Sequence, residues 1–189
     1  MHILRKLLYG LAIVVVALAV IAFFLPRHVR VERALTMRAP PAAVFELVNG
    51  FKRFNEFSPW FEHDPRAKYT YTGPESGVGA RMEWTSDSVG SGSQEIVKSE
   101  SPAAVHTKLD FGAQGTAMAV WTIEPTDDGS RVTWAFDTDL GMNPIARYMG
   151  LTFEHFIGPD YEKGLANLKK LAEAKTTQTT ETTQTAEMP

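Results

Sequence analysis

NPIARYMGLTFEHFIGPDYEKGLANLKKLAEA, residues 143–174, is the stretch on which the fold turns. Ile145, Tyr148, Met149, Thr152, Phe153, Phe156, Ile157, Tyr161, Leu165, Leu168 and Leu171 recur in steps of three and four. That spacing lays one broad apolar stripe along a helix. Asn143-Pro144 opens it, because an Asn side chain accepts from free first-turn N–H groups and Pro suits the first helical position. Gly158-Pro159 interrupts the run, and Pro removes a donor opposite the His155 carbonyl. The expectation is therefore a joint at Pro159. A lid over Ile145–Ile157 would precede it and a grip over Tyr161–Leu171 would follow, with a ligand portal near Met149 and Phe153.

A stripe of this size needs a large partner surface, and the sequence upstream supplies strands. Residues 29–37 alternate with period two, with Val29, Val31, Leu35 and Met37 on the apolar side and Arg33 as the exception. Ala39-Pro40-Pro41 starts a short helix that turns Val44, Phe45, Leu47 and Val48 inward. Further alternation places Met82 with Trp84, then Val105 with Leu109 and Phe111. Ala117, Ala119, Trp121 and Ile123 follow, then Val132, Trp134 and Phe136. Residues 94–100 read as a polar strand near an edge, and Thr126-Asp127-Asp128-Gly129 as a hairpin turn. The order strand, short helices, about six strands, long helix gives an α+β layer arrangement built on an antiparallel meander.

The other segment with a plain physical reading is N-terminal. Leu7 to Leu25 holds 19 residues without a charge. At 1.5 Å per residue it extends about 28 Å, the thickness of a hydrocarbon core. Arg5 and Lys6 precede it, and Arg27, His28 and Arg30 follow. Its length argues for an uncleaved single span over a signal peptide, whose apolar core is about 7–15 residues. Ala17-Leu18-Ala19 is the cleavage site that the signal-peptide alternative would use. The expected layout is an anchor over 1–28, a domain over 29–174, and a disordered Thr/Gln-rich tail over 175–189. A net charge of −3 offers no phosphate-tracking surface, so nucleic acid is not an expected partner. The chain has no cysteine, which excludes disulfides and thiolate chemistry.

Several short pieces together resemble the START-like or SRPBCC (Bet v 1-like helix-grip) superfamily, in its bacterial polyketide cyclase/dehydrase-like branch. They are Ala39 to Phe45, Ser58-Pro59-Trp60, Tyr71 to Pro74 with Gly77 to Ala80, Gly129 to Trp134, and Tyr161 to Lys169. The resemblance covers roughly Arg30 to Glu173. It implies a helix-grip fold, in which a curved antiparallel sheet wraps a long C-terminal helix around a ligand cavity. It also implies hydrophobic ligands such as lipids, sterols or polyketides, and in some members cyclisation or dehydration. Fold membership alone assigns no activity. With the anchor, it suggests a single-pass protein of a bacterial inner membrane.

Met82, Trp84, Phe111, Trp121, Trp134, Phe136, Met149, Phe153 and Phe156 are the expected cavity lining, or else plain core. Arg33 is the candidate polar anchor, since a guanidinium can hold a carboxylate or phosphate through two N–H groups. The alternative is that its stem covers apolar surface while its head meets a carboxylate. His155, at the margin of the helical stripe, is a second candidate. Glu83, Asp110 and Asp137 fall on the outer strand face. No catalytic residue, metal site or cofactor is indicated: nucleotide-binding loops and nucleophile elbows are absent, and the five histidines include no pair at i, i+4. The readings are a membrane-tethered binder of an apolar or amphipathic small molecule, a cyclase- or hydrolase-like enzyme using a cavity carboxylate or His, and a protein-interaction domain with a closed cavity.

Overall fold

The computed structural model describes residues 2–186, with side chains for 3–176. Helix α1 (His2–Ala22) leads into β1 (His28–Met37), followed by α2 (Pro41–Val48) and α3 (Pro59–His63). Six strands come next: β2 (Lys68–Thr72), β3 (Arg81–Ser86), β4 (Gly90–Glu100), β5 (Ala104–Asp110), β6 (Thr116–Thr126) and β7 (Gly129–Asp139). Helices α4 (Pro144–Gly150) and α5 (Phe153–Ala186) close the chain. The seven strands form one antiparallel sheet in the order β1-β7-β6-β5-β4-β3-β2, so β1 returns to pair with the last strand. This is the helix-grip arrangement, an α+β fold. β4 lies between β5 and β3, which corrects the expectation of an edge strand.

The grip is built by small spacings in α5. Tyr161, Leu165, Leu168 and Ala172 are buried against the sheet. Gly164 sits among them because a Cβ there would lie 2.7 Å from the Trp134 ring and 3.3 Å from Pro59. Helix α2 adds Val44, Phe45, Leu47 and Val48 to the same core, and Pro41 and Pro59 open their short helices as expected. The Asn143 carboxamide caps α4 by accepting from the Ile145 and Ala146 N–H groups at 3.0 and 3.2 Å.

The break in the C-terminal stretch is not at Pro159. Helix α5 runs through Pro159 unbroken, and the chain turns earlier, at Leu151-Thr152. Pro159 lies in the second turn, where its missing N–H removes one helical bond and leaves the rest of the ladder in place. The earlier turn is fixed by Gly150, whose Cβ would come within 2.5 Å of Leu140 and 3.0 Å of Val29. Leu151 and Thr152 then donate to the Tyr148 and Met149 carbonyls at 3.3 and 2.9 Å, closing α4 with tight turns. At its far end α5 enters the Thr/Gln-rich segment. There α5 continues to Ala186 through most of the segment 175–189 expected to be disordered; the side chains from 177 on and residues 187–189 lie outside the described residues.

Asp64, buried just past α3, pins the β3–β4 turn. It accepts from Ser86 Oγ at 2.6 Å, the Arg66 N–H at 3.0 Å and Ser88 Oγ at 3.2 Å. These bonds, led by the Ser86 hydroxyl, hold its carboxyl below the usual carboxylate range. A depressed folded-state pKa stabilises above the unfolded value of about 3.9 and is lost as pH falls through the folded value. Urea midpoints taken between neutral pH and pH 3 should therefore fall less steeply for Asp64→Asn than for the parent chain. Identical acid limbs would contradict the assignment.

Candidate functional site

The inner face of the sheet is set by register. One row runs Val31, Phe136, Ala119 and Thr107, and the next runs Arg33, Trp134, Trp121 and Val105. A third runs Tyr71, Met82, Gln94, Leu109 and Ala117, and a fourth pairs Tyr69 with Trp84 and Gly92. Helix α5 lies mainly against β1, while α2 packs on β5 and β6. The cover is therefore uneven, and the two halves of the face differ.

The half under α5 is filled by rings. Trp134 stacks on Trp121 at 4.1 Å and on Tyr161 at 4.0 Å, the planes 18° and 8° apart. Trp60 and Phe54 meet Trp134 edge-on, and Phe57 meets Trp121. All three stacked rings are at most 3% exposed. Burial pushes the Tyr161 phenol pKa far upward, so the ring stays neutral. Trp121 and Trp134, candidate lining residues, are core here.

The half over β3 to β5 is the less deeply buried one. Trp84, Leu109 and Phe111 are only partly buried there, beside buried Met82, Gln94 and Thr107, while partly buried Phe153 of α5 lies on buried Phe136 of β7. Trp84 meets Phe111 edge-on at 5.9 Å, and Phe153 meets Phe136 the same way at 5.9 Å. Gly92 lets the Trp84 ring lie down on the sheet: a Cβ there would be 2.6 Å from the ring and 2.7 Å from the Asp110 carbonyl. Tyr71, at the outer end of the third row, also walls a recess of about 240 Å³ with Phe51, Lys52, Gly73, Glu75 and Arg81.

Gln94 is the polar group of this half. It is 5% exposed, and its carboxamide makes one hydrogen bond, from Nε2 to the Met82 sulfur at 4.0 Å. A thioether is a weak acceptor, so the amide is close to unpaired. The sequence hid it, because β4 carries polar residues on both faces: Ser93 and Glu95 flank Gln94. Only its pairing with Met82 and Leu109 turns it inward.

The expected polar anchors behave differently. Arg33 donates from Nε to Glu162 at 2.6 Å, from Nη2 to Glu154 at 2.5 Å, and from Nη1 to the Glu32 carbonyl at 2.8 Å. Its fork is spent on α5. The guanidinium lies over Gly158, where a Cβ would be 2.3 Å from Nη2. Gly158 thus serves this close approach. Gly158→Ala should push the guanidinium off the two glutamates at little net cost. The atom that must move is the far end of a flexible side chain, exposed ion pairs contribute about 0–1 kcal/mol, and Ala gains up to about 1 kcal/mol of helix propensity over Gly. An unfolding free energy lowered by more than about 1 kcal/mol in a denaturant titration would sink that account.

His155 is exposed, with its ring edge against Phe156. Phe156 and Met149 are corrections to the expected lining: they are 65% and 57% exposed and face outward. Glu83 and Asp137 pair with Arg81 and Arg30 on the outer face, and Asp110 accepts from the Gly112 N–H. His63 pairs with Asp160 at 3.0 Å. Among the described residues no cluster of three or more His, Cys, Asp or Glu side chains is placed to hold a metal.

Against known proteins, residues 28–173 match the family described as polyketide cyclase / dehydrase and lipid transport. The chain belongs to this family. No curated protein matches the chain by sequence. Solved structures share the fold at low identity. The KanY protein superposes with a TM-score of 0.59 at 20% identity, over 77% of this chain and 98% of that one. A Staphylococcus aureus protein of unknown function gives 0.60 at 10% identity, over 79% and 96%. The di-domain ARO/CYC StfQ of the steffimycin biosynthetic pathway gives 0.58 at 12% identity, over 79% of this chain and 52% of that one.

Proposed function

We propose that this family member is a membrane-tethered binding protein for an apolar or amphipathic small molecule. The carrying observation is the uneven inner face: partly buried Trp84, Leu109 and Phe111 on the strands beside Gln94, whose amide has a single weak hydrogen bond. Apolar rings with one or two placed polar groups are the composition of a small-molecule site. Burial of ligand surface would drive binding at about 25 cal/mol per Å². The Gln94 amide would set orientation by pairing a ligand hydroxyl, carbonyl or carboxylate.

The tether is α1. Ile3–Ala22 is long and apolar enough to cross a membrane, and its most apolar 18-residue window holds no buried residue. Set beside a bilayer, the domain meets lipid-like ligands at high local concentration. Native mass spectrometry of the full chain released from detergent tests the reading. We expect a one-to-one adduct of lipid-like mass that is lost in Trp84→Ala. An adduct that persists in the variant, or none from several expression hosts, would refute it.

A further inference from the structure

Helix α4 has inverted polarity. Its buried positions are Arg147, 6% exposed, and Gly150. Its outward positions are Ile145 and Met149, 70% and 57% exposed. Met142, Leu151 and Phe156 flank them at 66%, 56% and 65%. A helix facing water turns these residues the other way. Five large apolar side chains within 15 residues form a patch of the kind that marks an interaction surface.

The position of α4 names the partner. Arg147 Nη1 donates to the carbonyls of Phe23 at 2.9 Å, Ala22 at 3.3 Å and Leu25 at 3.4 Å, at and just past the carbonyl end of α1. Its other donors hold the Gly141 carbonyl at 2.8 and 3.0 Å, and its charge lies over the Phe23 ring at 5.8 Å. A cation at a helix C-terminus also suits the helix dipole. Tyr148 donates its hydroxyl to the Leu18 carbonyl at 2.9 Å. Leu18 is one turn, about 6 Å, inside the end of α1. Helix α4 is thus strapped alongside the last turn of α1, and its apolar side is left open at that level.

We infer that α4 and the first turn of α5 form a foot embedded in the interfacial layer of the bilayer that α1 crosses. Ile145, Met149 and Phe156 enter the boundary between headgroups and acyl chains. Amphipathic surface helices sit at about 5–10 Å depth, which agrees with the strap at Leu18. Tyr148 adds an amphipathic ring of the kind enriched at membrane interfaces, and Phe156 an apolar one that suits the buried face of an interfacial helix. Phe153, one helical turn before Ile157 and packed on Phe136, joins this foot to the inner face of the sheet at β7. The inference rests on α1 spanning the bilayer.

The absence of cysteine makes a depth measurement direct. The full chain carrying one of I145C, M149C, F156C, V14C or V78C is labelled with a polarity-sensitive fluorophore. Each is reconstituted into palmitoyl-oleoyl phosphatidylcholine vesicles. Two quenchers are compared: aqueous iodide, and phosphatidylcholine with a nitroxide high on its acyl chain. V14C reports the span, and V78C reports a 60% exposed position on the β2–β3 loop. The expected result is loss of iodide quenching at all three foot positions, gain of nitroxide quenching there, and iodide quenching alone at V78C. Iodide access at V14C would overturn the spanning reading itself. Shielding at V14C with iodide access at the foot would overturn the foot and leave the span standing. Foot positions shielded from iodide yet untouched by nitroxide lipid would assign the patch to a second copy of the chain instead, and also overturn the proposal.

Discussion

Trp134→Ala should destabilise the domain by about 3–5 kcal/mol, the range for removing a buried large aromatic side chain. The position is costly because the ring is the middle of a three-ring stack between Trp121 and Tyr161, at 4.1 and 4.0 Å. It is also flanked edge-on by Trp60 and Phe54. Its removal unlinks the sheet from α5 on one side and from the α3 region on the other. The void is bounded by rings and by the backbone at Gly164, none of which can close it without moving. Domains are stable by about 5–15 kcal/mol, so the loss is a large share, worth about 10 °C in melting temperature for a chain of this size. Trp134→Phe should lose much less. The indole N–H is buried without a partner, and removing an unpaired buried donor returns part of its desolvation cost. Chemical denaturation followed by near-ultraviolet circular dichroism measures both. Equal losses in the two variants, or a loss under 1 kcal/mol for alanine, would show that the stack is not what joins sheet to helix.

The same residues mark how far the chain is readable without a structure. Strand alternation and helix periodicity are short-range signals, and they locate nearly every element here, including the Asn143 cap and the inward set Val132, Trp134 and Phe136. Periodicity says which residues share a face and says nothing of what that face meets. Met149 and Phe156 belong to the helical stripe, as their spacing predicts, yet they face outward, because α4 is held by Arg147 against the end of α1. That contact joins residues more than a hundred positions apart. Gly158-Pro159 is legible as special and misread as a joint. Gly158 answers to Arg33, the residue that breaks the β1 alternation, and each explains the other once β1 and α5 are side by side. Gln94 is the deepest omission. With polar residues on both faces of β4, no pattern within the strand separates it from Ser93 and Glu95, and only cross-strand register does so.

Gln94 also gives the sharpest test of the proposed site, because stability and binding should move in opposite directions. Gln94→Met keeps the length and volume of the side chain and removes the amide. The amide's one bond is the 4.0 Å contact to Met82 Sδ, so little is lost on folding. Exchanging a poorly paired buried polar group for an apolar one of similar shape is neutral or stabilising. The variant should therefore unfold at the same denaturant concentration as the parent or slightly higher. Binding should weaken, since the ligand's polar group would be buried opposite a thioether. An unpaired buried group costs about 1–3 kcal/mol, which raises the dissociation constant by roughly 5- to 150-fold. The measurement is the occupancy of the lipid-like adduct in native mass spectra of both chains, prepared side by side, with denaturant midpoints as the control. Undiminished occupancy would remove Gln94 from the site. A lowered midpoint would show the amide to be a structural group that the fold requires.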